Sequence, residues 1–128
     1  MEMIAEHIRQ AHILIVDDND ANVALLRKVL KTAGYENISS ITDSRLVRAA
    51  FEVERHDLIL LDIRMPYMDG FEVMAELKPL VHDDYLPILV LTAQTDDKTR
   101  IRALQEGAKD FLQKPFETIE VLNRIRNM

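Results

Sequence analysis

The chain has 128 residues, 48% of them apolar and 30% charged, with a formal net charge of −6. That balance fits one globular domain with a sizeable core and excludes a disordered or low-complexity chain. The acid excess argues against a nucleic-acid surface, the lack of cysteine removes disulfides and thiolate metal sites, and no apolar run approaches the roughly 18–20 residues of a membrane span.

Residues 1–10 read as an N-terminal lead-in, with Met3, Ile4 and Ile8 on one helical face and no signal-peptide core. A cytoplasmic location is expected. His12–Val16 is an apolar strand that runs into Asp17-Asp18-Asn19-Asp20. Asn19 or Asp20 suits the N-cap of a first helix, which turns Val23, Leu26, Leu30 and Ala33 inward and closes on Gly34. Asn37–Ile41 is a second, weaker strand. Residues 44–54 follow as a helix with Leu46, Ala50 and Val53 inward.

Asp57-Leu58-Ile59-Leu60-Leu61-Asp62 is the most informative stretch. A run so short and so apolar is a strand buried on both faces, and Asp62 emerges at its carboxyl end. The loop 64–68 leads into a third helix from Asp69-Gly70, with Met74, Leu77 and Val81 inward and Pro79 expected to end or bend it. Residues 87–92 form a fourth strand. Residues 96–106 form a fourth helix with Ile101 and Leu104 inward, closed by Gly107. Asp110–Gln113 is the last strand, and residues 117–126 form the last helix, with Val121, Leu122 and Ile125 packed. That helix still reads as helix where the sequence stops, so residues 11–128 are expected to form the domain proper, cut from a longer protein with a C-terminal output domain.

Five strands alternating with five helices over short connections predict an α/β three-layer sandwich with a parallel sheet. The flavodoxin-like order 2-1-3-4-5 is expected, with its switch point between the first and third strands. The carboxyl ends of those strands are then neighbours, so Asp17, Asp18 and Asp62 converge. The fourth strand ends at Thr92 and the fifth brings Lys114. Clustered carboxylates call for a cation, and hard oxygen ligands without His or Cys favour Mg²⁺ over zinc. Lys114 suits a phosphate oxygen and Thr92 offers a hydroxyl donor. Asp62 is then placed to attack phosphorus and form an acyl phosphate.

The segments Ile-Leu-Ile-Val-Asp17-Asp18-Asn, Leu-Asp62-Ile-Arg-Met-Pro66-Tyr-Met-Asp69-Gly70, Leu-Thr92-Ala93 and Lys114-Pro115-Phe116 stand in order along nearly the whole chain. Together they resemble the receiver domain of two-component response regulators. The resemblance implies a phosphorylation switch, not an enzyme acting on an external substrate. Asp62 would be the phosphoacceptor for a histidine kinase or a small acyl-phosphate donor. Asp17, Asp18, Asp62 and the backbone carbonyl of Arg64 would hold Mg²⁺, and Pro115 would follow a cis peptide.

The same resemblance makes Thr92 and Phe111 the switch pair, with Phe111 more inclined to its inward rotamer than the Tyr also found there. It makes Arg64 and Gln94 the positions that tune the lifetime of the phosphoryl group. Arg100 on the fourth helix and Glu120 on the fifth, with Asp110 and Arg124, resemble charges through which some receivers dimerise. The output is expected to be a following domain or a partner protein, with no direct nucleic-acid binding by this domain. A dehalogenase-type phosphatase would want an acid where Arg64 stands. A flavin binder would want a Ser/Thr/Gly-rich loop where Asp17 and Asp18 stand. A degenerate scaffold would not keep Asp62, Thr92 and Lys114. His7, His12, His56 and His82 are expected to be scattered and solvated.

Overall fold

A computed structural model describes residues 10–81, 85–93 and 96–128. The strands are β1 (His12–Val16), β2 (Asn37–Ile41), β3 (Leu58–Leu61), β4 (Ile88–Thr92) and β5 (Asp110–Gln113). They pair in parallel in the order β2-β1-β3-β4-β5. The helices are α1 (Asp20–Thr32), α2 (Val47–Val53), α3 (Gly70–Val81), α4 (Asp97–Gln105) and α5 (Thr118–Arg126), with a 3-10 turn at Ser44–Leu46. This is the expected flavodoxin-like sandwich.

The sheet has a core on each face because Ile13–Val16 of β1, all of β3 and Ile88–Leu91 of β4 are apolar. One core joins Leu14, Val16, Ile59, Leu61 and Val90 to α2, α3 and Ala103 of α4. The other joins Ile13, Ile15, Leu60 and Leu91 to Leu26 and Leu30 of α1 and Val121 and Ile125 of α5. Neighbouring residues of one strand thus face opposite layers, so the register that buries the strands also fixes where each strand end emerges. The Asn19 side chain caps α1 by accepting from Ala21 and Asn22. Gly34 ends that helix at φ 105°, a conformation that costs a residue with a Cβ.

Two helices are rotated from the expected faces. The segment after Asp43 opens as a 3-10 turn, and Val47 and Phe51 are its buried apolar residues, while Leu46 and Val53 are 56% and 89% exposed. Burying Phe51 hides more apolar area than burying Ala50, and its ring stacks on His56 at 5.9 Å. In α4, Ile101 and Leu104 stay exposed and Ala103 is fully buried. A small side chain lets that helix lie close to the sheet. Pro79 neither ends nor visibly interrupts α3, which runs on to Val81. It sits in the last turn, where its missing N–H removes one hydrogen bond only.

The histidines also depart from expectation. His56 is buried and lies 4.2 Å from the ring of His12. His12 Nε2 lies 2.7 Å from Ser39 Oγ, and Nδ1 lies 3.0 Å from Glu54 Oε1. The backbone N–H of His12 donates to Asp57 Oδ2, and that of Asp57 donates to the His12 carbonyl, both at 2.8 Å. The pair closes the amino edge of β1 and β3, far from the strand ends that carry the acids. His7 and His82 lie outside the described residues.

Candidate functional site

β1 ends at Val16 and β3 at Leu61, and these two residues are register partners. The residues that follow them are therefore forced side by side. Asp17, Asp18 and Asp62 each bring a carboxylate oxygen within 4.8 Å of the others. Their burial is graded, from Asp17 inside the fold through Asp62 to Asp18 at the surface. Backbone amides hold two of them in place, Asn19 N–H donating to Asp17 Oδ1 at 2.9 Å and Ile63 N–H to Asp62 Oδ1 at 2.8 Å.

Lys114 reaches the cluster from the end of β5. Its Nζ donates to Asp17 Oδ2 at 2.7 Å and lies 3.4 Å from Asp62 Oδ2. The Lys114 N–H donates to the Thr92 carbonyl at 2.8 Å, so the ends of β4 and β5 are tied together beside the acids. Thr92 itself is 1% exposed. The bond from Lys114 to Pro115 is cis, as expected.

Burial pushes the Asp62 carboxyl above the usual carboxylate range; Lys114 pulls it down, and repulsion from Asp17 pushes it up again. Three carboxylates and one ammonium leave a formal charge of −3 + 1 = −2. The donors are all hard oxygens in an open, graded site. That set fits a divalent cation of the hard class and does not fit zinc.

Gly70 was expected only to open a helix, but the site depends on it. A Cβ there would lie 2.5 Å from the Asp62 carbonyl oxygen and 2.8 Å from the Ile63 Cα, and the Gly70 N–H donates to the Ile63 carbonyl at 2.7 Å. The Asp-Gly pair that starts α3 was the available signal. Arg64 is exposed and borders a 260 Å³ cleft together with Met65, Asp69, Phe71 and Thr99. Phe111 is half-buried against the α3 and α4 core. Gln94 lies outside the described residues.

On the α4–β5–α5 face Asp110 and Arg124, two of the charges singled out in the sequence, meet each other. Arg124 Nη1 bridges to Asp110 Oδ2 at 2.9 Å within the chain. Arg100 Nη2 lies 3.8 Å from Asp97 Oδ1 in its own helix.

Residues 13–126 match the response regulator receiver domain model. The chain belongs to that family, the phosphorylation-dependent switch of two-component signalling. It is 40% identical over 118 residues to the response regulator PleD of Caulobacter vibrioides, an alignment covering 92% of this chain and 26% of PleD. It is 37% identical over 114 residues to the alkaline phosphatase synthesis transcriptional regulatory protein PhoP of Bacillus subtilis, covering 89% and 46%. The chain thus spans about a quarter to a half of these relatives.

Among solved structures it is similar to the chemotaxis protein CheY4 of Vibrio cholerae, with a TM-score of 0.84, 30% identity and coverage of 92% and 98%. It is also similar to the receiver domain of the sensor histidine kinase PA1611 of Pseudomonas aeruginosa, with a TM-score of 0.81, 30% identity and coverage of 92% and 96%. That structure holds a magnesium ion coordinated in its active site cleft. Among the described residues no helix is long and apolar enough to cross a membrane.

Proposed function

We propose that the Asp62 carboxylate accepts a phosphoryl group from a histidine kinase, a phosphotransfer protein or a small acyl phosphate. The observation that carries this reading is the Lys114 ammonium set against Asp17 and Asp62 in an acidic cluster at the carboxyl edge of the sheet. One Asp62 oxygen attacks phosphorus, and the donor's leaving atom departs with its electron pair. Lys114 and the Thr92 hydroxyl then meet the oxygens of the acyl phosphate. Asp17, Asp18, Asp62 and the Arg64 carbonyl would hold Mg²⁺, whose charge offsets that of the carboxylate and the incoming phosphoryl oxygens when bound.

The domain in this reading assists its own phosphorylation and autodephosphorylation and turns over no external substrate. Arg64 and Gln94 set how long the phosphoryl group survives. Thr92 and Phe111 carry its arrival to the α4–β5–α5 face, and that face controls an output unit in the same chain or in a partner. A longer parent chain agrees with the greater length of PleD and PhoP.

Acetyl phosphate with Mg²⁺, read by intact mass, tests the chemistry. One phosphoryl adduct is expected, absent in Asp62→Asn and absent without metal. An adduct that survives Asp62→Asn would sink the assignment. Light scattering with and without beryllofluoride tests whether the α4–β5–α5 face then pairs two copies.

A further inference from the structure

The loop leaving Asp62 bends after Pro66 at a tyrosine, a residue type that does not favour the conformation it takes there. Tyr67 has φ 70°, the one described residue other than glycine with positive φ. Met68 N–H donates to the Pro66 carbonyl at 2.7 Å, closing a three-residue γ-turn with Tyr67 at its centre. This hand of γ-turn is the rare and strained one, and a tyrosine gains nothing locally from adopting it. Something outside the loop has to hold it.

The segment after β2 does so from two sides. Ser44, 2% exposed, points its hydroxyl at both carbonyls of the turn, 2.6 Å from Met68 O and 3.4 Å from Pro66 O. Arg45 lays its guanidinium 3.8 Å from the centre of the Tyr67 ring. Asp43 fixes that guanidinium through both oxygens, at 3.0 and 2.9 Å, and accepts from the Arg45 N–H at 3.0 Å. The clasp is anchored to the acidic site as well, because Asp17 N–H donates to the carbonyl of Ile41 at the end of β2.

We propose that Asp43, Ser44 and Arg45 are positioning residues for the phosphorylation site. They pin the turn at residues 66–68 and thereby the run from Asp62 to Pro66 that carries the Arg64 carbonyl. The inference rests on the reading of that carbonyl and the three acids as the Mg²⁺ ligands. The loop is fixed at its base by the Gly70 bond to Ile63 and at its tip by the clasp. With the tip released, Tyr67 relaxes to negative φ and the carbonyls before it turn with the chain.

The test uses the isotope-labelled chain without any phosphoryl donor. Mg²⁺ affinity is read by NMR titration, the turn by hydrogen exchange at the Met68 amide, and global stability by urea. Ser44→Ala is expected to speed Met68 exchange and weaken Mg²⁺ binding about tenfold, the modest end of outer-shell effects. Arg45→Ala, a surface change that leaves the core intact, acts in the same direction. Adding Tyr67→Gly removes the strain and should bring affinity in the Ser44→Ala background back toward the parent value, which a loss of overall stability would not allow. Unchanged affinity in Ser44→Ala, or no recovery with Tyr67→Gly, overturns the clasp's role. No saturable Mg²⁺ binding by the parent chain overturns the metal reading, and the clasp's role with it.

Discussion

Replacing Lys114 with Met isolates what the lysine does before any chemistry occurs. The side chain is 14% exposed and its two partners, Asp17 and Asp62, are 3% and 12% exposed. Met fills similar space without charge, so the site goes from −2 to −3 and loses the ammonium that touches Asp17 and Asp62. Removing one partner of a buried ion pair costs about 3–5 kcal/mol, because the remaining charges stay desolvated and unpaired. Here Asp18 stands at the surface and water can enter beside it, so we expect about 2–3 kcal/mol in the absence of metal. With a slope near 2 kcal/mol per molar, that lowers the urea midpoint by about 1–1.5 M. Divalent cation should return part of the loss, because the −3 site of the variant binds it more tightly than the −2 site of the parent. For a tenfold tighter affinity, saturating metal returns about 1.4 kcal/mol. Urea titrations of parent and Lys114→Met, each in EDTA and in excess Mg²⁺, give the four midpoints. A metal-free loss under about 0.5 kcal/mol, or a loss of the same size with and without Mg²⁺, would refute the view that Lys114 neutralises a buried acidic cluster.

Gly70→Ala should cost about 1–3 kcal/mol, because both atoms its Cβ would strike are backbone and cannot swing away. It should also slow phosphorylation by acetyl phosphate, since the displaced atom is the carbonyl of Asp62 itself; normal stability and rate together would show that the close approach does not matter. Desolvation pushes the His56 imidazole below its usual value of 6.5, assisted by His12 and opposed by Glu54 and Asp57. A base with a depressed folded pKa binds its proton more readily when unfolded, so its effect is absent well above 6.5 and stability is lost as pH falls below that value. His56→Gln should therefore flatten the stability profile between about pH 5 and 7, by no more than about 1.4 kcal/mol per pH unit, in urea midpoints taken across that range. A profile as steep as the parent's would place the titration elsewhere.

What the sequence made legible follows from which physical demand had a single answer. β1, β3 and β4 had to be buried on both faces, because Ile13 to Val16 and Leu58 to Leu61 offer no polar side to give to water. Once those strands were adjacent and parallel, the ends at Asp17 and Asp62 had to meet. The acids, Thr92 and Lys114 were readable because their chemistry restricts the residue type, whatever the details of packing. Helix rotation had no such single answer. Residues 44–54 present two apolar stripes, Leu46-Ala50-Val53 and Val47-Phe51, and the buried one packs Phe51 on His56, a residue whose burial no local pattern announces. In α4 the buried position is Ala103, the least conspicuous apolar residue of the helix.

The turn at Tyr67 was hidden for a related reason. A sequence marks a bend when the bending residue itself tolerates it, as Gly or Asn does, and is silent when the bend is held by contacts from elsewhere. Ser44 and Arg45 lie more than twenty residues away from Met68 and Tyr67, so nothing local to the loop could disclose the restraint. The readable and unreadable parts of the site are therefore different in kind. In the proposed phosphorylation site Asp62 and Lys114 state which atoms take part, whereas Gly70, Ser44 and Arg45 are proposed to govern where those atoms are held. A variant that keeps every charged group of the acidic cluster and loses only the Ser44 hydroxyl separates the two.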